Sequence, residues 1–224
     1  MKDNEQLQKD VQDAIKWEPL LQAAQIGVTV DDGVVTLRGV VDSFAKKGEA
    51  ENAAKSVAGV RAVVEKIEIR FTSMVGKPTD NEIATEVLNA FKWNWQVPQD
   101  KVKVKVEDGW VTLEGDFEFN YQRKAAKTAV EKLMGVKGVS NNTKIKYDAS
   151  ADIEKADIEA AIKRNWSLAY KDIGVCVSGH RATLTGTVDS VYQKDEASRI
   201  AWNAMGVWSV DNELVIDYEY DLAD

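Results

Sequence analysis

Cysteine and histidine are nearly missing from this sequence, with one of each among 224 residues. Cys176 alone cannot form an intrachain disulfide, so the redox compartment is left open. His180 has no serine or cysteine partner recurring beside it, which favours a tolerated turn residue over a catalytic base. There is no metal-ligand spacing, no phosphate loop and no nucleophile motif, so neither an enzyme, a cofactor nor a metal is expected. Apolar runs stay well short of the ~18 residues that a bilayer-spanning helix needs, so no transmembrane segment is expected. The start, Met1 to Glu5, lacks the apolar core of a signal peptide. A soluble, cytoplasmic chain is the expectation from that start, with a periplasmic one as the alternative if a leader was removed. Positive charge is also in deficit: 29 Lys+Arg against 37 Asp+Glu give a net charge of −8. Affinity for nucleic acid comes largely from neutralising phosphates, so the balance argues against a general nucleic-acid binder, and only the middle stretch of the chain offers a basic surface.

What is present is a repeat. The stretch Gly33 to Gly39 (GVVTLRG) returns as Gly109 to Gly115 (GWVTLEG) and as His180 to Gly186 (HRATLTG). Measured from the closing glycine, Ile15, Phe91 and Ile162 lie at one common offset, each followed by lysine. Ile26, Val102 and Ile173 lie at a second, and Gly59, Gly135 and Gly206, each followed by valine, at a third. Three ungapped copies of a unit of roughly seventy residues follow, over 1–71, 79–147 and 152–224. Short linkers join them, around Ser73 to Pro78 and Asp148 to Asp152. Counted with the linkers, over 1–71, 72–147 and 148–224, the copies carry 10, 12 and 7 Lys+Arg against 12, 10 and 15 Asp+Glu, hence charges of −2, +2 and −8.

Within each copy the periodicity changes in one order. Leu7, Val11, Ala14 and Ile15 fall on one helix face, as do Ile83, Val87, Ala90 and Phe91, with Thr79 and Glu82 spaced as a capping box. Ile26, Val28 and Val30 then alternate up to Asp32-Gly33, and Val35 and Leu37 alternate after it, a hairpin. Asp42-Ser43, Asn120 and Asp189-Ser190 stand where a second helix needs a cap. That helix shows an alanine-rich face, for example Ala50, Ala53 and Ala54, and ends at the glycine. A third strand closes the unit. The fold class is α+β: three tandem α-β-β-α-β units, each a three-stranded mixed sheet with two helices on one face and a polar, open opposite face.

These residues resemble the BON domain, the bacterial OsmY and nodulation module. The resemblance rests on Gly33 to Gly39, Val41-Asp42-Ser43, the alanine helix around Ala50 to Ala54, and Gly59-Val60-Arg61-Ala62-Val63. It covers essentially the whole chain, with departures at Asp116 to Asn120 and at His180-Arg181. It implies the same helix-strand-strand-helix-strand plan, binding of phospholipid or another envelope component, a link to osmotic stress, and a periplasmic setting.

Seven tryptophans carry the candidate sites. Trp202 aligns with Lys55 and Glu131, Trp208 with Arg61 and Lys137, and Trp110 with Val34 and Arg181, so all three are expected at exposed positions that mark contacts. They either meet a partner or pack against a neighbouring copy. Trp17, Trp93, Trp95 and Trp166 cluster at the end of the first helix, where they are expected to cover the core edge. In the middle copy Lys101, Lys103 and Lys105 are expected to alternate along the first strand on the open face, while Lys92, Trp93 and Trp95 close the helix. Lysines with tryptophans suit an anionic membrane interface. The competing readings are a solvated charge-patterned face, and docking of the +2 copy on the −8 copy. Partner expectations are therefore an anionic phospholipid or an envelope protein, against a compact protein-interaction scaffold.

Overall fold

The structure, a computed structural model, describes residues 3–21, 26–71, 78–146, 153 and 155–217; the expected linkers lie outside these apart from Pro78. The first copy runs α1 (Asn4–Trp17), β1 (Ile26–Asp31), β2 (Val34–Val41), α2 (Phe44–Ser56), β3 (Ala62–Ile69). The second runs α3 (Asp80–Lys92), β4 (Val102–Glu107), β5 (Trp110–Phe117), α4 (Asn120–Glu131), β6 (Gly138–Asn141), β7 (Lys144–Ile145). The third runs α5 (Lys155–Arg164), β8 (Ile173–Ser178), β9 (Arg181–Val188), α6 (Val191–Trp202), β10 (Ser209–Asn212), β11 (Val215–Ile216).

In every copy the second strand is central, paired antiparallel with the first. In the second and third copies the strands after the second helix pair parallel with it, which makes the sheet mixed. Burial alternates along it: Val111, Leu113 and Phe117 are buried with Ile83, Val87 and Phe91 of α3 and Ala126 and Val130 of α4. The third copy repeats this with Ala182, Leu184, Val188, Ile158, Ile162, Ala197 and Ala201 in one cluster. Both helices therefore cover one face, and small side chains on the second let it lie close to the sheet.

The last strand differs between copies. It is continuous over Ala62–Ile69 in the first copy but interrupted after Asn141 and after Asn212. Each asparagine turns inward and donates to a carbonyl of the second helix, Asn141 to Arg123 at 2.9 Å and Asn212 to Lys194 at 2.7 Å. Its Oδ1 accepts from the backbone two residues on, at Thr143 and Leu214. That local bond competes with the ladder and breaks it. Glu65 stands at the equivalent position in the first copy, and the strand runs on.

The hairpin turns show why the glycine moves by one in the third copy. Asp32-Gly33 and Asp108-Gly109 both have positive φ at both central positions, as a type I′ turn requires. In Gly179-His180 only the glycine is positive, at 56°, the pattern of a type II′ turn, which accepts histidine second. The closing glycine answers a different demand. A Cβ on Gly115 or Gly186 would run into the backbone carbonyl of Lys101 or Asp172 on the neighbouring chain segment.

Caps form as expected at Thr79, whose hydroxyl accepts from the Glu82 N–H while the Glu82 carboxylate accepts from the Thr79 N–H. Ser43 and Ser190 cap their helices. Asn120 does not: it is the buried first residue of α4, and the Gln122 side chain accepts from the Glu118 and Phe119 N–H groups in its place. A further clamp joins helix to hairpin. Asp80 accepts from the Asp108 and Gly109 N–H groups at 2.8 and 2.9 Å, and Asn4 accepts from Asp32 at 3.2 Å in the first copy.

The chain divides into two compact units. One combines residues 1–40 and 48–68 with 151–224, so the first and third copies belong together; the other comprises 41–47 and 69–150. Within the first unit the Val191 N–H donates to the Val60 carbonyl at 3.4 Å, and the Lys55 ammonium lies 3.8 Å from Asp195.

Candidate functional site

The open face of the middle sheet is not a basic patch. Lys101 lies before β4, in a single 3-10 turn over Gln99–Lys101 that Pro98 opens, and its ammonium meets Glu118 at 2.6 Å. The expectation that it shares the strand face is corrected on that ground: the turn delays the strand by one residue. Lys103 and Lys105 do face solvent from β4, but Lys103 stands directly across from Glu114, and Lys105 lies 3.0 Å from Glu107. On β5, Asp116 is bound by Lys146 at 2.6 Å. Lys101, Lys105 and Lys146 thus sit in ion pairs and Lys103 stands opposite a carboxylate, and exposed pairs of this kind contribute little energy.

The three tryptophans aligned with charged sister residues have separate fates. Trp110 is half exposed, but its ring covers Gly138, its cross-strand partner, at the place where a Cβ would otherwise stand. Trp208 is 38% exposed and stacks on His180. Trp202 is partly buried and packs against the third copy's own core cluster, so its expected exposure is corrected.

The side chains that do stand free are those at the end of the first helix. Trp93 and Trp95 are 84% and 86% exposed, and Trp17 and Trp166 are equally open, so none of them covers the core edge. A built turn holds them out. In the middle copy the Asn94 N–H donates to the Phe91 carbonyl, the Val97 N–H donates to the Asn94 carbonyl at 3.0 Å, and the Asn94 side chain accepts from Gln96 at 3.0 Å. Val97 is buried as the anchor, and Trp95 occupies the outer corner. The same two backbone bonds close Glu18 to Leu21 in the first copy and Asn165 to Leu168 in the third, and Leu21 and Leu168 are buried likewise. Lys92, at the C-terminus of α3, has no ion-pair partner among the described residues and stands next to Trp93 in the chain. The site that emerges is Lys92, Trp93 and Trp95, which presents two indoles and one ammonium on hydrogen-bonded backbone.

Sequence reasoning missed the open aromatic and aliphatic companions Leu20 and Tyr170, which no periodic pattern marks. Among the described residues no three His, Cys, Asp or Glu side chains gather as metal ligands, and no helix is long and apolar enough to cross a membrane. His180 is fixed by its stack and by a 2.9 Å contact between Nδ1 and the Gly206 carbonyl. Cys176 is exposed on β8.

Comparison with known proteins agrees with the repeat. The chain is 34% identical over 129 residues to osmotically-inducible protein Y of Escherichia coli (strain K12); the match covers 56% of this chain and 64% of that protein. The chain thus spans just under two thirds of this relative. The C-terminal domain of CdsD, a structural protein of the type III secretion system of Chlamydia trachomatis, aligns over 96% of this chain and 99% of its own at 15% identity. The TM-score of that alignment is 0.25. The BON domain profile matches residues 3–70, 79–147 and 151–218, one match to each helix-strand-strand-helix-strand unit, and the chain accordingly belongs to the BON domain family.

Proposed function

We propose that this is a non-enzymatic binding protein that attaches to the surface of anionic phospholipid in the cell envelope, in a response to osmotic stress. The carrying observation is the middle copy's turn: two indoles more than four-fifths exposed, on hydrogen-bonded backbone, beside Lys92, which has no ion-pair partner among the described residues. Indole prefers the headgroup level of a bilayer, and each lysine held near an anionic surface adds about 1 kcal/mol. The relative's description as osmotically inducible supports the stress setting, and family membership supports the envelope. The paired open face of the sheet takes no part in this reading.

The test is tryptophan emission of the full chain with phosphatidylglycerol-containing and with pure phosphatidylcholine vesicles, at low and moderate salt. The expected result is a blue shift with the anionic vesicles that salt weakens and that Trp93→Ser/Trp95→Ser reduces. No shift with either lipid overturns the reading. A compact scaffold is the second reading, favoured by the union of the first and third copies through Val60, Val191, Lys55 and Asp195. It gains if vesicles have no effect.

A further inference from the structure

The third copy carries the largest negative charge, −8, and on net charge alone it should be repelled by an anionic surface. Its local structure says otherwise. Trp166 is 83% exposed and Tyr170 97% exposed, both within the segment that leads from α5 to β8. Lys163 and Arg164 close α5 immediately before them, and neither has an ion-pair partner among the described residues. Glu159 is paired with Lys155, Asp189 with Lys171 and Glu196 with Arg199, while Asp157 on α5 and Asp172 before β8 are exposed and have no ion-pair partner among the described residues.

This turn is also braced where the middle one is not. Asn165 Oδ1 accepts from both the N–H and the hydroxyl of Ser167, at 2.9 and 2.7 Å. The other end of the amide, Asn165 Nδ2, donates to Glu196 on α6 at 2.8 Å. The Gln193 side chain, also on α6, donates to the Ser167 carbonyl at 2.9 Å. Leu168 is fully buried beneath. Two side-chain bonds tie the corner to the second helix, two more close the turn on itself, and Leu168 anchors it in the core, so little conformational freedom is left to lose on contact.

We infer that this turn, with Lys163, Arg164, Trp166 and Tyr170, is a second and independent anchoring site for an anionic lipid surface. The inference rests on the membrane reading proposed for the middle copy and extends it. The charge of the whole copy does not decide the matter, because a surface charge is screened beyond about 8 Å at physiological salt. The groups that meet the headgroups are the two cations and the two rings. The two sites lie in different compact units and each is argued from its own unit, so loss of either should weaken partition without ending it.

The experiment uses the full chain and vesicles of phosphatidylglycerol and phosphatidylcholine at a ratio of 3:7, with co-sedimentation as the readout. Trp166→Ser/Tyr170→Ser and Trp93→Ser/Trp95→Ser are compared with the unaltered chain and with the fourfold variant. Each pair should weaken partition on the order of tenfold, and the fourfold variant by far more than either. Lys163→Glu/Arg164→Glu should produce the same loss with both rings in place. All four rings are exposed, so melting curves should be unchanged, which separates lost contact from lost fold. The inference is overturned if the unaltered chain partitions and Trp166→Ser/Tyr170→Ser and Lys163→Glu/Arg164→Glu do so equally well. Failure of the unaltered chain to partition is a different result: it removes the membrane reading itself and this site with it.

Discussion

His180 and Trp208 stack face to face, with ring centroids 3.7 Å apart and planes 10° from parallel. A carbonyl oxygen only accepts, so the contact of His180 Nδ1 with the Gly206 carbonyl places the hydrogen on Nδ1. His180→Ala should cost about 1–2 kcal/mol, combining an aromatic pair and one hydrogen bond. Urea denaturation measures the loss. Trp208 emission, isolated by difference against Trp208→Phe in both backgrounds, should move to the red as the ring loses its cover. Unchanged emission would contradict the stack.

Asp80 is a hinge pin of the middle copy, since its carboxylate takes both turn N–H groups. Asp80→Ala leaves them without that acceptor and should destabilise the unit by about 1–3 kcal/mol. Asp80→Asn keeps one acceptor oxygen and should recover part of the loss. Hydrogen exchange at the Asp108 and Gly109 amides reads the effect directly, and it should accelerate in the alanine variant.

Two glycines should respond to alanine in opposite senses. Gly115 has φ +141° and no room, because its Cβ would fall against the Lys101 carbonyl. Gly115→Ala should destabilise by about 3 kcal/mol or more through strain and displaced backbone. Gly48 lies inside α2 with nothing within 4 Å of a Cβ. Gly48→Ala should stabilise by about 0.5–1 kcal/mol by restricting the unfolded chain and improving helix propensity. Thermal melting of the two variants orders them around the unaltered protein.

Acid should weaken the start of α3. The Thr79 N–H and then its hydroxyl donate to the Glu82 carboxylate, and this holds Glu82 below the ordinary glutamate value of 4.5. The folded state therefore favours the ionised form more than the unfolded state does. The resulting stability is complete above about pH 4.5 and is lost as pH falls through the lowered folded value. Glu82→Gln should show its deficit at neutral pH and converge on the unaltered protein in acid, as urea midpoints at pH 7, 5 and 3 would show.

The parts of this fold that depend on local spacing were legible in the sequence. The alternating runs around Asp32-Gly33 gave the hairpin, and Thr79 with Glu82 gave the cap, because both are decided by neighbours in the chain. The interrupted last strand was not, since Asn141 and Asn212 act by reaching a carbonyl on another element. Lys101 misled for a related reason: alternation continued into a residue that Pro98 had already committed to a turn. The tryptophans are the sharper case. Comparison with charged sister residues placed Trp208 near the surface but failed for Trp202, whose long flat ring found the core. The same comparison applied to the helix-end residues, where Arg164 matches Trp17 and Trp93, points to their exposure. That signal was present and outweighed by the habit of burying aromatics.

The union of the first and third copies fixes an order of events during synthesis. The first copy is complete near residue 68, but the segment that shares its compact unit begins only at residue 151. At roughly 5–20 residues per second the ribosome needs on the order of 4–17 seconds to cover that gap. The middle copy emerges in the interval and can fold before its elder neighbour finds its mate. Until then the Val60 carbonyl and the Lys55 ammonium lack the Val191 and Asp195 contacts of the finished protein, and a chain stalled or cut after the second copy would keep that surface bare.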